Sequence, residues 1–232
     1  MPALRVVGPG RAGTALARAV AALPGWTVAE PVRHGDDPAG AAGGVDLVVV
    51  ATPDDAVAEV AASIGPVPTT VIAHLAGSLG LDALAPHERR ASLHPLRSIP
   101  DGTTDLRGAW FAVAGDPLVA GLVDALGRHR VIVDDEHRAA YHAAACIASN
   151  HLVALLGQVE RVAATAGVPL AAYLDLVRQT VDNVAELGPA AALTGPVRRG
   201  DLATVERHLD ALDPAERPAY EALAGAAKVL VP

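Results

Sequence analysis

Six residues near the start of the chain constrain its fold more than any others. Gly8-Pro9-Gly10-Arg11-Ala12-Gly13 follows the apolar run 4–7 and precedes a helix-like stretch, 14–23. Strand, glycine turn and helix, in that order, is the arrangement a dinucleotide phosphate site requires. Gly8 permits the tight turn. Gly10 lets a pyrophosphate approach the backbone, and Gly13 lets the helix lie close on the strand. Free N–H groups at the helix start then face the phosphates. Arg11 and Ala12 lie inside the same turn and join the three glycines as cofactor-binding candidates. Glycine-rich turns are common, so the weight rests on the flanking strand and helix rather than on the motif alone.

The next segments extend this pattern. Apolar strand-like runs occupy 26–29, 45–51, 70–75, 91–93, 110–114 and 130–133, with helix-like patterns at 55–64 and 117–126. Largely apolar runs such as Val45-Asp46-Leu47-Val48-Val49-Val50 read as parallel strands covered on both faces. Right-handed crossovers then predict a doubly wound, mostly parallel α/β sheet of the Rossmann-like kind. The segment 33–44 is rich in Gly, Asp and Pro, so any helix there must be short. Beyond Asp134 the pattern becomes helical throughout: 137–165, 170–187, 201–212 with Asp201 as N-cap, and 214–229. Between the second and third of these, 194–200 reads as a rigid loop. The expected organisation is a dinucleotide-binding domain, 1–134, followed by a smaller all-helical substrate and dimerisation domain, 135–232.

Composition narrows the function classes. The net charge of -8 argues against a nucleic-acid partner. Cys146 is the only cysteine, which excludes an intramolecular disulfide or a cysteine metal cluster, and no metal site is expected. The first strand begins by Leu4, leaving no room for a signal peptide. The best membrane candidate, 143–157, is short and contains Asn150 and His151. A cytoplasmic protein with a small-molecule substrate and no membrane partner is therefore expected. Lys228 is the only lysine, so a lysine general acid is unavailable unless Lys228 supplies it.

Further clusters carry candidate chemistry. An acidic residue ending the second strand favours NAD, whereas a nearby arginine suits the 2′-phosphate of NADP. Glu30 is present, but Arg33-His34 follows it and the balance favours NADP, unless both are ordinary solvated loop residues. Thr52-Pro53-Asp54-Asp55 ends a strand at the sheet's ligand-binding edge. Thr52 and Pro53 are cofactor-contact candidates, and Asp54 or Asp55 is expected to cap the next helix. His74 and His94 both end strands; His74 is assigned to the cofactor and His94 to catalysis, though either could instead hold a loop through a carbonyl. His142, Cys146 and Asn150 are spaced i, i+4, i+8 and share one helix face. That polar stripe points to a ligand or to helix–helix hydrogen bonding. Arg198 and Arg199 sit in 194–200, where a guanidinium could bind a carboxylate or simply be solvated.

Taken together, Gly8–Gly13, Thr52–Asp54, His74–Ser78, Ser92–Leu96, Tyr141–Asn150 and Leu193–Asp201 resemble an uncharacterised bacterial family. It joins a Rossmann-like NADP-binding domain to a helical domain of the 6-phosphogluconate dehydrogenase type. The resemblance covers nearly the whole chain. It implies an NADP-dependent oxidoreductase that pairs through its helical domain as a homodimer, without fixing a substrate. Hydroxyisobutyrate-type dehydrogenases and ketopantoate reductases place Lys-x-x-x-Asn on the corresponding helix. Here the similar position reads Cys146-Ile147-Ala148-Ser149-Asn150, so the Asn is kept and the Lys is missing. Prephenate dehydrogenases carry a catalytic His before Pro at a sheet edge, and His94-Pro95 is similar. The resemblance thus implies a histidine, His94 or His142, in the lysine's place, with Asn150 orienting a carbonyl, imine or hydroxy-acid substrate and Arg199 holding its carboxylate. These groups are expected to converge between the domains. The competing expectation is a non-catalytic NADP-binding sensor or partner-binding protein.

Overall fold

The computed structural model describes residues 1–231. A seven-stranded sheet comprises β1 (Ala3–Val7), β2 (Thr27–Val28), β3 (Leu47–Val50), β4 (Val71–His74), β5 (Arg90–Pro95), β6 (Phe111–Gly115) and β7 (Arg130–Ile132). Their spatial order is β2-β1-β3-β4-β5-β6-β7. All neighbours are parallel except β5 and β6. This is the doubly wound α/β architecture that the alternating pattern predicts, with one antiparallel pairing. Strand order reverses at β1, so the carboxyl ends of β1 and β3 bound a crevice, the usual ligand position in such sheets.

Alternation within the apolar strands divides the core. Leu47 and Val49 enter one cluster with Leu4 and Val6, beneath α1 (Arg11–Ala21) and α3 (Pro117–Leu126). Val48 and Val50 enter a second cluster on the other face, beneath α2 (Val57–Ser63). Strands buried on both faces have no polar face to show, which is why their sequence lacks polar alternation. Between β2 and β3 no helix forms among the described residues. Arg5 instead reaches across the turns there, donating through Nη1 to the carbonyls of Gly40, Ala41 and Gly43 at 3.4, 2.7 and 3.2 Å.

The chain divides into two compact units, Met1–Ser149 and a second from Asn150 onward. The expected boundary at 134 follows the last strand; the first unit also takes in α4 (Arg138–Cys146). The second unit contains α5 (Leu152–Thr165), α6 (Leu170–Leu187), α7 (Pro189–Ala192), α8 (Gly195–Arg199), α9 (Leu202–Ala211) and α10 (Arg217–Val229). The expected rigid loop 194–200 is thus corrected to a one-turn helix. Pro196 occupies its first turn and Gly200, with φ of 69°, ends it in the left-handed region. Asp201 caps α9 as expected, accepting from Thr204 N at 3.1 Å.

Helix 135–165 is long and apolar enough to cross a membrane by length and composition, with a mean hydropathy of 1.3 over its best window. A π-helical turn, Ile147–His151, interrupts it. Ala163 is the only fully buried residue among those described in the second unit.

Candidate active site

The glycine turn does what its spacing predicts. Gly8 has φ of +79°, and a Cβ there would lie 2.8 Å from Thr52 Cγ2. A Cβ on Gly13 would lie 2.9 Å from both Ala51 Cβ and Val6 Cγ1, so only glycine lets α1 rest on β1 and the end of β3. Nothing lies within 4 Å of a Cβ on Gly10. Gly10 is also the N-cap of α1, with no capping side chain and no acidic residue in the first turn, which leaves that end open to an anion.

A cavity of about 640 Å³ opens from this turn. Gly8, Gly10, Arg33, His34, Thr52 and Pro53 help line it. Arg11 and Ala12 begin α1 beside it, and Gly13 is buried beneath. Thr52 Oγ1 is buried and lacks a hydrogen-bond partner, so the cavity wall holds a polar atom that a ligand or water could satisfy. Arg33 is exposed and pairs through Nη1 with Glu30 Oε1 at 2.8 Å. An exposed pair of this kind is screened by water and holds its partners only weakly. The guanidinium can therefore exchange Glu30 for a phosphate at small cost. These residues fit a dinucleotide.

Farther along the same sheet edge, a second cluster forms where β4 and β5 end. His94, the penultimate residue of β5, shares a hydrogen bond of 2.6 Å between Nδ1 and Tyr141 Oη on α4. His142 follows on α4, and its ring meets that of His94 edge-on with centroids 5.9 Å apart. Cys146, one turn further on, places Sγ 3.9 Å from His142 Nε2. The turn after β4 closes over both imidazoles: a Cβ on Gly77 would lie 2.6 Å from His142 Cδ2 and 2.9 Å from His94 Nε2. Burial and the neighbouring His142 push His94 down to about 4, so its imidazole is neutral at neutral pH. Burial raises Tyr141 to about 12, keeping the phenol protonated.

Beneath this pair lies a buried cation that sequence reasoning missed. Arg138, 1% exposed, donates through Nε to Asp135 Oδ1 at 3.2 Å and through Nη2 to Ser92 Oγ on β5. Asp135 Oδ2 accepts from Leu81 N at 3.0 Å, tying the start of α4 to the loop after β4. The only sequence signal for this brace is the i, i+3 spacing of Asp135 and Arg138. His74 is wholly buried. Its Nε2 meets the Gly80 carbonyl at 3.3 Å, the loop-holding contact considered from sequence, while its Nδ1 has no partner. Burial first and Arg138 second lower its pKa.

Two local expectations are corrected. Neither Asp54 nor Asp55 caps by a side chain; both enter a 3-10 turn ahead of α2, and Asp54 Oδ2 instead accepts from Ser78 Oγ at 2.8 Å. The π turn at Ile147–His151 also breaks the i, i+4, i+8 spacing before Asn150, because a π turn holds more residues than an α turn. The first unit therefore brings together His94, His142 and Cys146 with Tyr141, and separately the dinucleotide residues. Asn150 and Arg199 belong to the second unit, in the π turn and at the end of α8.

The depressed pKa of His94 has a thermodynamic consequence. Unfolded, its imidazole would titrate near ~6.5; folded, it titrates at about 4. Between these values the unfolded chain binds more protons, so stability is lost as pH falls from about 6.5 toward 4. Urea unfolding at pH 7 and pH 4.5 is expected to show about 2 kcal/mol less acid loss in His94→Gln than in the parent. Equal acid losses would contradict the burial argument.

Comparison with known proteins places these features in context. A family model described as a domain of unknown function (DUF2520) matches residues 112–227. No curated protein matches. Among solved structures, one from Bacteroides fragilis, provisionally named an NADP oxidoreductase, is similar with a TM-score of 0.82 at 21% identity, covering 98% of each chain. A reductive aminase from Aspergillus terreus, in complex with NADPH4, cyclohexanone and allyl amine, is similar with a TM-score of 0.71 at 18% identity, covering 98% of this chain and 93% of that one. Pyrroline carboxylate reductase from Plasmodium falciparum, with NADP bound, has a TM-score of 0.64 at 14% identity, covering 99% and 98%. At these identities the likeness establishes the Rossmann-like fold with its helical C-terminal part.

Proposed function

This chain belongs to the DUF2520 family, and we propose that it is an NADP-dependent oxidoreductase acting on a small carbonyl, imine or hydroxy-acid substrate. The observation that carries this reading is a cavity of about 640 Å³ at the glycine turn together with His94, near the end of β5 on the same sheet edge, meeting His142 of α4 edge-on. When bound, NADP supplies or accepts the hydride. Gly10 leaves room for the pyrophosphate, and Arg33 meets the 2′-phosphate. His94 and His142 are the groups for hydrogen bonding and proton exchange at the substrate's oxygen or nitrogen. The oxidoreductase names of the structural neighbours support the class without naming the substrate.

Titration with NADPH and NADH tests the cofactor reading. NADPH should bind more tightly. Arg33→Ala should weaken NADPH about tenfold and leave NADH nearly unchanged. Equal or tighter NADH binding by the parent chain would sink the NADP assignment.

A homodimer built on the helical unit is part of the same reading. Val153, Leu176, Val181, Leu187 and Leu202 are each more than half exposed, while among the described residues only Ala163 is fully buried there. A cavity of about 740 Å³ within that unit is lined by Leu155, Val159, Val162 and Leu223 among others. So much exposed apolar surface is what a second copy of the chain would cover. Light scattering at micromolar concentration should give twice the chain mass; a monomer would contradict this.

A further inference from the structure

We propose that Tyr141 is a positioning residue that holds the proton of His94 on Nε2, so that this nitrogen presents a hydrogen-bond donor to the carbonyl oxygen or imine nitrogen of the substrate. The inference rests on the oxidoreductase reading for its substrate, but its geometry stands apart from it.

Nδ1 of His94 is committed to Tyr141 Oη at 2.6 Å. Two arrangements could form this bond: the phenol donating to a bare Nδ1, or a protonated Nδ1 donating to the phenol oxygen. In the second, the phenol hydrogen needs another acceptor, and among the described residues Tyr141 has none. The first satisfies both groups and uses the stronger acid as donor. A neutral imidazole carries one proton, so that proton must sit on Nε2. Burial of both groups favours their uncharged forms and hence this pairing.

The surroundings agree with a donor held for a ligand. Among the described residues His94 Nε2 makes no hydrogen bond, yet it is not among the buried atoms left unpartnered; it is open. Gly77 makes this possible, because a Cβ there would lie 2.9 Å from Nε2 and displace the ring. The edge contact with His142 also confines the ring. The result is a neutral donor aimed at one spot, which stabilises developing negative charge without first acquiring a proton from solvent.

Histidine-selective 15N labelling, with long-range proton–nitrogen correlation spectra, tests this without substrate. His94 is assigned by loss of its signals in His94→Gln. At pH 7 the parent should show a protonated Nε2 and an unprotonated Nδ1 of a single tautomer. In Tyr141→Phe the His94 signals should move to an averaged or reversed tautomer while thermal unfolding remains cooperative. A protonated Nδ1 or averaged tautomers in the parent would overturn the proposal, as would an unchanged tautomer in Tyr141→Phe. Because the parent spectrum alone can refute it, an unstable variant does not protect it. Failure of the oxidoreductase reading would show separately, as absent NADPH turnover with the His94 tautomer intact.

Discussion

Replacing His94 with Ala is expected to lower turnover by roughly 100- to 1,000-fold with little change in NADPH affinity. His94 is fixed by Tyr141 at 2.6 Å, flanked by His142 and roofed by Gly77, whereas the dinucleotide cavity is lined by the turn at Gly8 and Gly10 and by Thr52. A single preorganised donor of this kind lowers the barrier of a reaction that builds charge on oxygen by about 3–4 kcal/mol. The loss should fall on kcat, because the interaction strengthens as charge develops rather than on binding. Steady-state kinetics and NADPH titration on the same samples check it. A variant that keeps full turnover removes His94 from the chemistry, and one that loses NADPH affinity instead assigns it to the cofactor.

The second large effect concerns the fold. Gly13→Val should destabilise the chain by about 3 kcal/mol and lower its melting temperature by roughly 6–12 °C. A Cβ at Gly13 meets Ala51 Cβ and Val6 Cγ1 at 2.9 Å and the Gly8 backbone oxygen at 3.1 Å; Val6 is buried in β1 and Ala51 packs against the same core, so these neighbours have little room to retreat. Gly10→Ser is the control. Nothing lies within 4 Å of its Cβ, its φ of -70° suits any residue, and serine is a good N-cap. Its stability should stay within about 0.5 kcal/mol of the parent while NADPH binding weakens markedly. Thermal unfolding and nucleotide titration separate the two. If Gly13→Val melts like the parent, helix–strand contact does not explain the third glycine.

These glycines also show how far the sequence could be read. Their spacing encodes close contacts between segments adjacent in the chain, so the turn, β1 and α1 were legible. So were the apolar strands, because burial on both faces leaves a continuous hydrophobic run. What was not legible depended on contacts distant in sequence. The antiparallel β5–β6 pairing has no local signature, since a strand's own residues do not record a neighbour's direction. Arg138 looks like any exposed helical arginine until Ser92, 46 residues away, is folded against it. Asp54 or Asp55 was expected to cap a helix by the usual local rule; neither does, and a tertiary partner, Ser78, donates to the Asp54 carboxylate instead. The two histidines were visible as strand-end and helix residues, but their edge contact and the Tyr141 bond appear only when β5 and α4 meet. The π turn at Ile147–His151 shows the limit of periodicity itself: one irregular turn alters every spacing beyond it.

The most direct test of the oxidoreductase assignment is NADPH oxidation, followed by absorbance, across a panel of 2-oxo acids and cyclic imines, with NADH run in parallel. The account predicts turnover with at least one member of the panel, faster with NADPH than with NADH. Saturable NADPH binding with no oxidation by any member would contradict it and favour a non-catalytic NADP-binding protein.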